Sequence, residues 1–148
     1  MLAAAAHASA DFSLDDQFGR AHTRSSVFRE DLVVIIAGSQ RKTPDAMQAW
    51  DRALRSRVPD GVRLFGLSNL KKIPFFVPKG SVKRTLAEKL PKTSVLLDWK
   101  GKVYPRLGFS EGATIAVGVF SASGERIGDV SGEVSETKLE TVLALVSP

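Results

Sequence analysis

Apolar residues recur along this chain in two alternating periods. Leu32–Ala37 (LVVIIA) is a continuous, β-branched run, as expected of a strand covered on both faces. Beyond it, Ala46, Met47, Trp50, Ala53, Leu54 and Val58 recur at helical spacing. The pattern predicts a helix with Thr43 as N-cap and Pro44 as first residue. Asp51 and Arg55 stand four apart on it, and PDG (59–61) ends it. VRLFGLSNL (62–70) predicts a second strand, parallel to the first through a right-handed crossover. KKIPFFVPKG (71–80) sets two prolines around two phenylalanines, which suits an extended loop rather than a central strand. Ser81 is placed to cap a helix whose apolar face is Val82, Leu86 and Leu90, closed by Pro91.

The C-terminal third returns to strand patterning. SVLLDWKGK (94–102) predicts a strand and a turn, and VYPRLGF (103–109) a short helical turn. ATIAVGVFSASGERIGDVSG (113–132) alternates around a Ser-Gly turn and predicts a β-hairpin. Ser135 caps a last helix bearing Leu139, Val142, Leu143 and Val146. Upstream, DFSLDDQFGRAHT (11–23) predicts a small hairpin turning through Asp16 and Gly19, and SSVFRED (25–31) a single helical turn. The order β-β-α-β-α-β-turn-β-β-α predicts an α/β fold: a three-layer domain over 11–148 with a mixed central sheet and helices on both faces. No internal repeat or linker divides it.

The first ten residues, MLAAAAHASA, stand outside that pattern. HASA ends like a signal-peptidase site, without a basic n-region. The segment is either the remnant of a trimmed secretory signal or an alanine-rich start with no address, a flexible tail in both cases. Localisation is left equally open between periplasmic or secreted and cytoplasmic.

Composition narrows the chemistry. The 148 residues are 43% hydrophobic and 25% charged, a globular balance, and no apolar run approaches the roughly 18 residues of a membrane span. There is no cysteine, which removes disulfides, thiol catalysis and thiolate metal sites together. His7 and His22 are the two histidines, and no metal-ligand spacing surrounds them. Gly-x-Ser-x-Gly and nucleotide P-loop patterns are both missing. Neither a metal nor a cofactor is expected. The net charge of +5 is unevenly spread: residues 71–110 hold ten basic and two acidic side chains, and residues 111–148 hold two basic and six acidic.

FSLDDQFGR, SVLLDWKGKVYPRLGF and ATIAVGVFSASGERI, in this order and pattern, resemble the redoxin branch of the thioredoxin-like superfamily, the peroxiredoxins and their relatives. The resemblance extends over about residues 11 to 146. IPFFVPKGSVKRTLAEKLP together with the Asp98 segment is most similar to the YtfJ-like bacterial proteins, a group often found in the periplasm. The resemblance implies a thioredoxin-like fold with its functional corner where LVVIIA meets the next helix. Three parts of the redox apparatus are replaced. With Pro44 set on the Cys-x-Pro-Cys proline, Lys42 and Asp45 occupy the cysteine positions. Ala113 takes the place of the cis-proline, so the Gly112–Ala113 bond is expected to be trans. GATIAVGV lacks the arginine that steadies peroxide. The resemblance therefore implies no thiol-disulfide oxidoreductase or peroxidase activity.

The candidate binding site is that corner: Ser39, Gln40, Arg41, Lys42, Thr43 and Asp45 with Gly112, Ala113 and Thr114. A helix N-terminus offers unsatisfied N–H groups to an anion, and the rim would take a small anionic ligand or an extended stretch of a protein partner. The plainer account is a solvated strand-to-helix loop with a good cap. The basic block, with Phe75 and Phe76 beside it, would suit nucleic acid or an anionic membrane. Its residues are scattered over a loop, a helix and a turn, so nucleic acid is not favoured. The plainer account is a solvated basic face with both phenylalanines in the core. Asp98 is either a strand-end catalytic carboxylate or a turn-former. Asp15 and Asp16 are adjacent, point differently and suit a turn better than an acid–base pair. Three functions follow: a redox-inactive binding or accessory module, an enzyme using Arg41, Lys42, Asp45 or Asp98 without thiols, and a basic-surface binder.

Overall fold

A computed structural model describes residues 11–39 and 43–147. Two short strands come first, β1 (Ser13–Asp15) and β2 (Ala21–Thr23), followed by the one-turn helix α1 (Arg24–Val27). Strand β3 (Val33–Gly38) leads to helix α2 (Thr43–Arg55), and β4 (Arg63–Asn69) leads to α3 (Lys79–Lys89). Then come β5 (Val95–Asp98), the short α4 (Val103–Arg106), the hairpin β6 (Ile115–Phe120) and β7 (Arg126–Ser131), and α5 (Glu136–Val146).

The main sheet runs β5-β4-β3-β6-β7. Strands β3, β4 and β5 are parallel neighbours, while β6 is antiparallel to both β3 and β7. The register sets Val33 opposite Arg63 on one side and opposite Phe120 on the other. All six residues of β3 are buried, as the continuous apolar run predicts. Val34 and Ile36 join Met47, Trp50, Leu54, Leu86 and Val142 in a core under α2, α3 and α5. Val33, Ile35 and Ala37 face the other way, among Val27, Phe28, Tyr104 and Phe109 beside α1 and α4. The fold is α/β, with a mixed sheet and helices on both faces.

Two helix starts differ from the sequence pattern. Helix α2 includes Thr43 as its first residue rather than as its cap. Helix α3 begins at Lys79, not after Ser81, with Pro78 as N-cap at φ −62° and ψ 135°. A proline fixes the extended backbone of a cap without any side-chain bond, so the chain turns helical two residues before the serine. Ser135 does cap α5, accepting from Lys138 N at 3.2 Å. Asp51 and Arg55 pair along α2 at 3.2 Å.

A third difference is larger. Phe75 is 99% exposed and Phe76 72%, where the plainer sequence reading buries both. Ile73 N donates to Leu70 O, and Val77 N to Pro74 O. These turns direct Ile73 and Val77 inward and leave the phenylalanines at the apex.

The β1–β2 turn is fastened to the edge of the main sheet. Gln17 Nε2 donates to Leu90 O at 2.9 Å and to Thr93 O at 2.7 Å, and its Oε1 accepts from Val95 N at 2.7 Å. One buried amide thus satisfies three backbone groups between the end of α3 and the start of β5.

Candidate functional site

The corner forms where the chain leaves β3. Gly38 and Thr43 approach so closely that a Cβ on Gly38 would lie 2.6 Å from Thr43 Cβ. Ser39 N donates to Thr114 O at 3.1 Å, and Ser39 Oγ to Ala113 O at 2.9 Å. Gly112 N donates to Ser110 Oγ at 3.2 Å. Ser39, Gly112, Ala113 and Thr114 are therefore brought to one rim. Peptide bonds among the described residues are all trans, Gly112–Ala113 included. Gln40, Arg41 and Lys42 lie outside the described residues. Asp45 turns aside: its carboxylate is largely exposed and pairs with Lys89 Nζ at 2.7 Å, at the far end of α3.

Ser39 and Thr43 also open onto a cavity of about 470 Å³ that sequence reasoning missed. Pro44 and Thr43 form one wall, and Ser68, Asn69 and Leu70 the end of β4. Ile73, Pro74 and Val77 of the following loop face Val82, Thr85 and Leu86 of α3 across it. Its volume is that of a small-molecule or side-chain pocket, and it sits beyond the carboxyl ends of β3 and β4, where open α/β sheets bind ligands. The available signal was IPFFVP, a short apolar loop bracketed by prolines directly after a strand.

The polar groups around it are largely engaged. Asn69 Nδ2 donates to Glu111 Oε1 at 3.0 Å, and Asn69 Oδ1 accepts from Lys71 N at 3.2 Å. This joins the β4 end to the segment before β6. Tyr104 is fully buried, and its Oη makes no hydrogen bond among the described residues. Burial raises its pKa, and the Glu111 carboxylate adds to the rise.

Asp98 is a turn and cap residue. Its Oδ2 accepts from Val103 N at 2.9 Å and Tyr104 N at 2.8 Å, and its Oδ1 from Lys102 N at 3.2 Å. The carboxylate is buried and spoken for at the start of α4. Gly101 completes the turn at φ +68°, a conformation glycine adopts without strain.

Solved structures share the overall fold. StoA from Bacillus subtilis superimposes with TM-score 0.68 at 12% identity, over 94% of this chain and 98% of its own. A putative thiol:disulfide interchange protein DsbE from Chlorobium tepidum gives 0.65 at 14%, over 94% and 95%. The peroxidoxin BcpB from Mycobacterium tuberculosis gives 0.64 at 17%, over 93% and 92%. The fold is thioredoxin-like. Neither a family model nor a curated protein matches the sequence, and these likenesses do not bear on the narrower resemblance to YtfJ-like proteins. This thioredoxin-like chain carries no cysteine, so its β3–α2 corner has no thiol with which to exchange a disulfide or reduce a peroxide.

Proposed function

We propose that the protein is a thiol-free binding module that receives an extended polypeptide at the β3–α2 corner, seating one apolar side chain in the adjoining cavity. The observation that carries this reading is the cavity itself. Its lining surface is mainly apolar, from Leu70, Ile73, Pro74, Val77, Val82 and Leu86, with Ser39, Thr43 and Lys72 among the polar residues that share it. A pocket with apolar walls and a few fixed polar groups favours an aliphatic anchor over a free anion. Gly112 and Thr114 beside Ser39 are exposed, so an extended chain anchored in the cavity would run along this rim.

The test uses a panel of extended peptides that differ in one central residue, leucine or alanine, titrated against the wild-type chain and Val82→Trp. Val82 is half-buried on the cavity wall, so the indole would occupy the space. The expected result is leucine-dependent binding, weakened about tenfold by Val82→Trp, the order of effect of losing one buried aliphatic side chain. Equal binding of leucine and alanine peptides, or binding that Val82→Trp leaves unchanged, would overturn the reading.

A further inference from the structure

The exposed apex of the β4–α3 loop carries a second feature, independent of whether the cavity is occupied. Phe75 and Phe76 stand side by side in solvent, ring centroids 5.9 Å apart in a T-shaped pair. Pro74 and Pro78 bracket them, so their exposed position needs little further ordering. Two adjacent phenylalanines left in water at a loop tip have no role in this chain's own core.

The ground around them is cationic. Lys71 and Lys72 precede the apex, and both are exposed. Lys79 follows it, with Nζ 4.8 Å from the ring centre of the half-buried Trp99. The turn bearing Trp99 and Lys100 lies directly against the loop, since a Cβ on Gly101 would meet Lys71 Cβ at 2.8 Å. Among the described residues, neither Lys71, Lys72 nor Lys100 has a carboxylate partner. Residues 71–110 hold two acids, Glu88 and Asp98, and Asp98 is buried among backbone donors. The face near the apex is therefore aromatic at its tip and basic around it, and the nearest carboxylate beyond that stretch, Glu111, is bonded to Asn69 Nδ2.

We propose that this face docks on an anionic lipid surface, with Phe75 and Phe76 entering the boundary between headgroups and acyl chains. Lysines around an apolar tip are attracted by acidic headgroups, and an indole beside them suits the interfacial layer. A lipid surface accounts for both parts together: the phenylalanines gain an apolar layer, and the lysines keep hydrated heads among phosphates. Nucleic acid would use the lysines and leave two aliphatically bracketed phenylalanine rings without a strand groove to stack in.

The full chain is tested by flotation with vesicles of phosphatidylcholine alone or enriched in phosphatidylserine, at low and high salt. Phe75→Ser/Phe76→Ser and Lys71→Glu/Lys79→Glu are compared with wild type, and circular dichroism checks that each is folded. Both phenylalanines are solvent-facing, so their replacement should leave the core intact. The expected result is binding to serine-lipid vesicles that weakens with salt, falls about tenfold or more in the phenylalanine variant and falls also in the lysine variant. Trp99 emission should shift to the blue on binding. Absence of binding to anionic vesicles at low salt would overturn the proposal. So would binding indifferent to the phenylalanines, or capture by polyglutamate or single-stranded DNA in place of vesicles.

Discussion

Asp16 is fully buried, yet four polar groups converge on its carboxylate. Phe18 N and Arg20 N donate to Oδ1 at 2.9 and 3.0 Å; Arg20 Nε and His22 Nε2 reach Oδ2 at 3.0 and 2.9 Å. Burial pushes the pKa up, but the His22 contact and the backbone donors of Arg20 and Phe18 outweigh it. The result lies at about 2, below the ordinary 3.8. A folded-state value below the unfolded one means the contribution is complete at neutral pH. It fades as pH falls below the unfolded value and is gone once pH passes the folded one. The shift corresponds to about 2 kcal/mol. Urea midpoints measured down that acid range should therefore fall for wild type by more than for Asp16→Asn, whose side chain does not titrate. Parallel curves would refute it. The turn at Asp16 was legible from Asp-x-x-Gly. Its charge network was not, because His22 arrives only through the β1–β2 register, which sets Leu14 opposite it.

Among the elements, the β3–α2 junction shows how closely strand end and helix start are fitted. Gly38 is a glycine because Thr43 occupies the place of a side chain. Gly38→Ala is expected to destabilise the fold by about 1–3 kcal/mol through overpacking, seen as a lower thermal midpoint. Thr43→Gly in the same chain should recover part of that loss; an unchanged midpoint in Gly38→Ala would show that the helix shifts freely. LVVIIA was legible as a doubly covered strand because both faces impose the same apolar demand. The helix starts were less so, because side-chain caps advertise themselves in sequence and Pro78, acting through its backbone, does not. The loop at 71–80 was recognisable, but the direction of Phe75 was not. Hydrophobicity alone argues for burial, whereas the turns at Leu70–Ile73 and Pro74–Val77 decide which apolar residues face inward.

At the scale of the whole molecule, the alternation of strands and helices was enough to give the mixed sheet and its two covered faces. Contacts between segments far apart in the chain were not legible, since no local period marks them. The cavity is one, formed by residues from 39 to 86. The Gln17 clasp is another, reaching 73 to 78 residues along the sequence. Gln17→Ala would leave Val95 N, Leu90 O and Thr93 O without their partner in a buried place. A loss of about 2–4 kcal/mol in chemical denaturation is expected from three unsatisfied backbone groups. An unchanged midpoint would mean that water replaces the amide at no cost.

The same clasp orders events in time. Gln17 leaves the ribosome long before Leu90, Thr93 and Val95 exist. At roughly 5–20 residues per second, the hairpin waits several seconds for the groups it will hold. In the last part of that interval the nascent chain has β3 and β4 but no β5 beside β4, whose outer edge is bare. Closure by Gln17 comes after this exposed stage, so the residues nearest the start of the fold complete its far edge late in synthesis.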